Sequence, residues 1–367
     1  MKRIDAAELE EFVGALVAAL GADKDVADEV SESLVEADLT GHGSHGSIRM
    51  GTTYLEMVGS GDIDPRATPE VTRLSPTAAQ VDGNLQYGQV VGRRAVETGV
   101  DLATENGMAT VGVRNATHLG RIGEWAERTT DEGLCFTALV NTGGAAPLVT
   151  PPGTAERLFS TNPIAFGVPP FGALDHPVVL DMATSQVAHG KVTKRSVENR
   201  PIPEDWVIDA EGNAVTDSTD YEEGIGAMLP LGGETAGYKG FGLSMMAELF
   251  AGVVGDGKVT GQPTEHSVNN GAMFCFVDPD VYSTPADNRA RVEALAEMLR
   301  NADYPDAVSM GPTAKGDRAT LPGAAEHETR RKRRAEGIPF YQETLDLLAD
   351  TAREAGVESA IPHSFAD

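Results

Sequence analysis

Residues 39 to 50 read LTGHGSHGSIRM, which sets Gly41, Gly43 and Gly46 at the spacing G-x-G-x-x-G. That spacing binds a pyrophosphate only where a strand ends and a helix begins, because the glycines let the backbone wrap the phosphates at the helix N-terminus. Here the preceding segment, DVADEVSESLVEAD at 25 to 38, places Val26, Val30, Leu34 and Val35 on one side of a helix and acids on the other. A helix, not a strand, leads into the glycines. No acid closes a strand about twenty residues on, as ribose recognition requires; Asp62 and Asp64 lie in GSGDIDP, which reads as a turn. The pattern therefore argues against a doubly wound dinucleotide-binding fold.

At 367 residues, 41% of them apolar, the chain can bury a large core and divide into two or more domains. Its formal charge is -27, from 56 acids against 29 bases, and the bases divide as 8 Lys and 21 Arg. A surface rich in acids and poor in Lys fits a salt-adapted protein, since such a charge repels itself unless salt screens it. Nucleic acid and anionic membranes are excluded as partners, because both need a basic face. The one strongly basic run, RRKRR at 330 to 334, sits between EHET and AEG and is expected as a solvated helix face. Cys135 and Cys275 lie in the apolar runs LCFTALV and AMFCFV and are expected as buried, reduced core residues. With no signal-peptide core at MKRIDAAELEEFV and no run of eighteen apolar residues, a soluble cytoplasmic protein is expected.

Residues 5 to 58 suggest three helices, the third starting at Ser44, whose hydroxyl would cap it. Strands are expected at AAQVDG, ATVGVRN, LCFTALVN, VVLDMAT and AMFCFVD, and a very apolar helix at 239 to 255. Long irregular stretches are expected at 141 to 176 and 192 to 238, and helix returns over 325 to 355. The division is then a helical part at 1–75, a cofactor- and substrate-binding body at 76–324, and a C-terminal helical part at 325–367 that packs with the first.

Three constellations carry chemistry. On a helix begun at Ser44, His45 and Arg49 stand at i and i+4 and share a face fit to hold an anion. His118, in RNATHLGRIGEW, occupies a turn between a predicted strand and a predicted helix, where an imidazole reaches a cleft with a pKa near neutrality. The turns STNPIAFGVP, VLDMATSQVAHGK, LPLGGETAGYKGFG and LPGAAE each offer backbone amides to phosphates. A metal-dependent hydrolase or lyase built on His42 and His45, and a ligand-binding module without turnover, are the alternatives.

Together these stretches resemble the type 2 malate/L-lactate dehydrogenase family, which also holds ureidoglycolate, sulfolactate and piperideine-carboxylate dehydrogenases or reductases. S-H-G-x-x-R matches Ser44, His45, Gly46 and Arg49; N-x-x-H-x-G matches Asn115, His118 and Gly120. The family's G-T-N-P-I-A stands as STNPIA and D-M-A-T-S is intact at 181 to 185. P-x-G-G with its following K-G falls on Pro230, Gly232, Gly233, Lys239 and Gly240, and L-P-G on 321 to 323. The matches run in register over nearly the whole chain.

The resemblance implies an α+β, non-Rossmann fold: a largely antiparallel sheet body, a smaller substrate domain and a helical domain made from both termini, assembled as a homodimer. It implies hydride exchange between a nicotinamide cofactor, NAD or NADP, and a small 2-hydroxy acid/2-oxo acid pair such as malate/oxaloacetate or lactate/pyruvate. Arg49 would grip the substrate carboxylate, Ser44 and His45 would belong to the proton-handling network, and His118 would lie at the reacting centre. Gly120, Arg121, Ile122, Thr161, Asp181, Met182, Ala183, His189, Gly190, Gly232, Pro322 and Gly323 would line the cofactor, and Lys194 and Arg195 could meet a 2′-phosphate. On this resemblance the glycines of GHGSHG are incidental. Two positions depart from the family. Thr53 stands four residues after Arg49 where members often carry Tyr, and Tyr54, one residue on, would be turned by about 100° on an α-helix. Ser160 replaces the Gly before Thr-Asn-Pro.

Overall fold

Period-two alternation of buried and open residues builds the centre of the molecule, as the pattern requires. In the computed structural model, which describes residues 1–145, 147–266, 269–308 and 318–366, seven strands form one sheet. Their spatial order is Glu70–Ser75, Ala78–Asp82, Met108–Ala116, Asn270–Val277, Cys135–Asn141, Ile164–Val168 and Val178–Met182. Ala78–Asp82 runs parallel to Met108–Ala116, the helix Gly88–Asn106 making the crossover, and the other neighbours are antiparallel. This is the expected α+β body and not a doubly wound sheet.

On one face of the sheet Phe136, Phe274 and Phe276 meet edge to face, with ring centroids 5.2 and 5.3 Å apart, and Trp125 closes the same cluster. The helix Gly233–Gly255 covers the other face at very short range. A Cβ on Gly255 would stand 2.5 Å from Val113 O, so this contact exists only because the position is Gly. Cys135 and Cys275 are half-buried free thiols in the sheet, more open than expected, because both point away from the phenylalanine cluster.

A second apolar cluster joins the two ends of the chain: Leu9, Phe12, Leu16 and Leu34 pack with Ile338, Phe340, Leu345, Leu348 and Phe365. Lys2–Ile4 pairs antiparallel with Ile338–Phe340. The basic run is the solvated helix face expected at Arg331, Lys332 and Arg334, and its inner side joins this clasp. On the helix Ala324–Glu336, Arg330 pairs with Glu36 and Glu127, Arg334 reaches Glu36 at 3.0 Å, and Arg333 donates to Asp38 O.

Residues 192 to 238 are more ordered than expected. The helices His189–Val197 and Ser218–Glu222 and the paired strands Val207–Ile208 and Ala227–Met228 enclose a small core of Val192, Ile202, Trp206, Val215, Tyr221 and Met228. The stretch 141 to 176 likewise contains the strand Ile164–Val168. Among the described residues no helix is long and apolar enough to cross a membrane.

Candidate active site

The last turn of the helix Lys24–Leu39 carries Asp38, whose carboxyl group is buried and accepts from the Ser47 amide at 2.8 Å. The loop between them folds around that carboxylate: a Cβ on Gly46 would collide with it, and one on Gly43 would stand 2.9 Å from Lys194 Nζ and 3.1 Å from Asp38 Oδ1. Gly43 and Gly46 are therefore not incidental. They wrap a carboxyl group after all, but it belongs to the chain's own helix. Burial pushes the Asp38 carboxyl up, while its bonds to Ser47 and the charges of Lys194 and Arg333 pull the other way.

No α-helix begins at Ser44. A single 3₁₀ turn, Gly43–His45, precedes a π-helical turn, Met50–Tyr54, so His45 and Arg49 do not share an α-helical face and Ser44 caps nothing. Ser44 Oγ lies 3.1 Å from His45 Nδ1 instead. Arg49 donates through Nε to Ser44 O at 2.8 Å and through one terminal nitrogen to Thr53 Oγ1 at 3.2 Å.

The π turn reverses the expectation for Tyr54. Its hydrogen bond spans five residues, from the Leu55 amide to Met50 O, and the wider turn takes up the one-residue displacement that an α-helix would convert into a rotation. Tyr54 is buried directly behind His118: its hydroxyl lies 2.9 Å from His118 Nδ1 and accepts from Gln89 Nε2 at 2.7 Å. His118 follows Asn115, which holds a left-handed φ of 50° while its amide donates to Asp82. The Leu119 amide donates to Asn270 Oδ1 at 2.9 Å and Trp125 Nε1 donates to Leu119 O at 3.1 Å, fixing the turn on both sides.

These groups open into a cleft of about 380 Å³. Of the residues expected to form the site, Ser44, His45, Arg49, His118, Gly120, Ile122, Thr161, Asp181, Met182, Ala183, His189 and Gly190 all line it. The rings of His45 and His118 stack at 5.5 Å and 15°. Burial, then the charge of Arg49, holds both well below the usual imidazole range, so both are neutral at pH 7. Burial likewise pushes the Tyr54 phenol up to about 12. Among the described residues no carboxylate forms an ion pair with Arg49, although burial already disfavours its charge.

Four expected residues stand elsewhere. Arg121, Pro322 and Gly323 border an adjoining crevice of about 160 Å³ that shares His42 and Asp181 with the cleft. There Arg121 is buried against Glu127 at 2.5 Å, so its guanidinium is already paired. Gly232 lies just behind the wall residue Leu231, its amide donating to Gln186. Lys194 turns back toward Asp38 and Glu198, and Arg195 stacks over Trp206, so neither lines the cleft. His42 faces Glu326 at 3.5 Å, and among the described residues no cluster of three His, Cys, Asp or Glu is placed to hold a metal. The hydrolase or lyase alternative has no support. Sequence reasoning passed over Gln89, Asn270 and Asp38. Only Asp38 had a local signal, as the last acid of the helix before the glycines.

The malate/L-lactate dehydrogenase family model matches residues 4–349. A malate dehydrogenase of Pyrococcus abyssi is 32% identical over 97% of this chain and 96% of its own. The hydroxycarboxylate dehydrogenase B of Escherichia coli O157:H7 is 30% identical over 99% and 97%. The crystal structure of malate dehydrogenase from Entamoeba histolytica superposes with a TM-score of 0.86 at 26% identity, covering 97% of this chain and 98% of that one. The chain belongs to the malate/L-lactate dehydrogenase family and is a 2-hydroxy acid dehydrogenase.

Proposed function

We propose that Arg49 holds the carboxylate of the 2-hydroxy or 2-oxo acid and that His118 exchanges the proton of its C2 oxygen. The observation that carries this is Arg49: a deep guanidinium beside two neutral imidazoles, with Glu222 acting on it only at a distance and no ion-pair partner among the described residues. A substrate carboxylate supplies the missing charge in the planar geometry a guanidinium accepts. It also offsets the Arg49 charge that adds to burial in holding His118 neutral, so the imidazolium formed during oxidation becomes more tolerable. Tyr54 occupies Nδ1 and leaves Nε2 as the nitrogen that meets substrate. Ser44, bonded to His45, keeps that second ring in place above the first.

The cleft suits a nicotinamide cofactor. Gly120 and Ala183 border it with little side chain, and Ser160 adds a buried hydroxyl that has no hydrogen-bond partner among the described residues. Gly120, Ile122, Thr161 and Asp181–Ala183 would hold the cofactor, NAD or NADP, with the adjoining crevice at Pro322 and Gly323 extending its path. When bound it supplies the hydride acceptor and donor for C2. Proton transfer contributes roughly 10² to 10⁴ in rate, and the orientation of C2 much of the remainder.

The charge of -27 supports a salt-adapted enzyme, and the free thiols Cys135 and Cys275 fit a reducing cytoplasm. The helix Gly233–Gly255 exposes Leu243, Met246, Phe250 and Val253 along one stripe, which supports a homodimer that buries it. The shared cluster of both termini supports the division near residues 75 and 325. A panel of 2-oxo acids, with NADH and NADPH in molar salt, tests the function: oxidation of the cofactor at 340 nm that depends on a 2-oxo acid is expected, and none with any of them would overturn it.

A further inference from the structure

Gln89 is the second residue of the helix Gly88–Asn106 and is almost wholly buried. Its place is fixed: the Gly88 amide donates to Thr117 Oγ1 at 3.0 Å, and Gly88 packs so tightly under the His118 turn that a Cβ there would lie 2.6 Å from the Leu119 nitrogen. Gln89 Nε2 donates to Tyr54 Oη, while its Oε1 is buried without a hydrogen-bond partner among the described residues. An orphan acceptor this close to a reacting centre calls for a reason.

A carboxamide holds an acceptor and a donor in nearly the same volume, so a half-turn exchanges them without moving a neighbour. With Nε2 toward Tyr54, the phenol donates its hydrogen to His118 Nδ1, and the neutral ring must carry its own hydrogen on Nε2. That ring cannot take a proton from a hydroxyl. It could give one up only by drawing the Tyr54 hydrogen onto Nδ1 and leaving a buried phenolate. With Oε1 toward Tyr54, the phenol donates to Gln89 and accepts from His118 Nδ1–H, and Nε2 is bare. Nδ1 then keeps its hydrogen throughout: the hydroxyl O–H breaks, N–H forms at Nε2, and the reverse step returns the same proton to the 2-oxo oxygen.

We infer that Gln89 is a positioning residue for proton transfer: rotation of its carboxamide, relayed by Tyr54, decides which nitrogen of His118 carries the hydrogen and so arms the ring. The inference rests on His118 being the acid and base.

The test is ¹⁵N NMR of His118 in the full-length enzyme and in Gln89→Leu and Gln89→Glu, with oxamate as the unreactive 2-oxo acid analogue, alongside turnover. Gln89→Leu leaves the Tyr54 hydrogen only Nδ1 to bond, so His118 should be fixed with Nε2–H. Oxidation of the 2-hydroxy acid should fall at least tenfold in kcat with KM nearly unchanged. Gln89→Glu offers only acceptors when ionised. It should fix Nδ1–H with bare Nε2, keep kcat within a few-fold of wild type, and move the acid limb of the pH profile upward. The wild type should shift from the first pattern toward the second when oxamate binds. Identical His118 nitrogen signals in all three proteins would overturn the inference, as would equal loss of turnover in both variants. If the catalytic reading itself is wrong, His118→Asn turns over normally while the nitrogen signals still respond to Gln89, so the two failures are distinguishable.

Discussion

Gly46 lies against the carboxylate of Asp38 so closely that a Cβ on it would stand 2.6 Å from Oδ2 and nearer still to Oδ1. The glycine spacing in GHGSHG records this approach. Gly46→Ala must push the buried carboxylate or the loop aside, a cost of about 1–3 kcal/mol for overpacking. Because Ser44 and His45 ride on the same loop, activity should fall together with the unfolding midpoint. Gly59→Ala, with open space around its Cβ, is the control and should leave both unchanged or slightly improved. Urea unfolding and turnover of the two variants check this; an unaffected Gly46→Ala would contradict it.

His118→Asn keeps much of the side chain's shape but cannot cycle a proton near neutral pH. Turnover should fall by about two to four decades, with cofactor affinity changed far less. A variant that turns over normally would transfer the acid/base role to His45, the ring stacked on it.

The depressed histidines give stability a definite pH dependence. Folded His45 and His118 stay neutral below the pH, near 6.5, at which the unfolded chain takes up protons. Their contribution is therefore complete above about pH 6.5 and is lost as pH falls toward the lower folded values. Urea midpoints measured from pH 8 to pH 5 should decline over the acid half, and His118→Asn should decline less steeply. A midpoint that rises on acidification through this window would contradict the burial argument.

Salt and assembly test the surface. Screening shortens the Debye length from roughly 10 Å at 0.1 M to about 3 Å at 1 M, so dilute buffer should lower the melting temperature and activity of a chain carrying -27. Met246→Glu with Val253→Glu places charges on the stripe of the helix Gly233–Gly255, where both residues are exposed in the single chain. Light scattering should find a dimer for the wild type in molar salt and a monomer for the double variant. A monomeric wild type would contradict the dimer.

The sequence made the sheet legible wherever alternation was strong. Met108–Ala116 and Asn270–Val277 bury every second residue against the helices, and the expected strands coincide with them. Glu70–Ser75 escaped notice because it is an edge strand exposed at every residue, so no burial imposes a pattern on EVTRLS. The site divided along the same line. Ser44, His45, Arg49 and His118 stand in short local motifs, and the cleft gathers them. The contact of Tyr54 with His118 is not legible in the sequence, because a π turn is invisible in a list of residues: its signal is a register that fails by one on an α-helix. Gln89 enters the site through packing between the helix Gly88–Asn106 and the His118 turn, which no spacing within the chain reports.

Arg49→Lys tests the central claim most directly. Lys keeps the charge but replaces a planar fork with a flexible point donor, and charge-assisted hydrogen bonds contribute roughly 1.5–3 kcal/mol each. The measurement is kcat/KM for the best 2-oxo acid, paired with the Kd of the reduced cofactor determined without substrate. The expected result is a loss of about tenfold to hundredfold in kcat/KM, or more if two bonds are broken, with cofactor binding close to wild type. Equal weakening of both would place Arg49 on the cofactor, and unchanged values for both would contradict the account of the cleft.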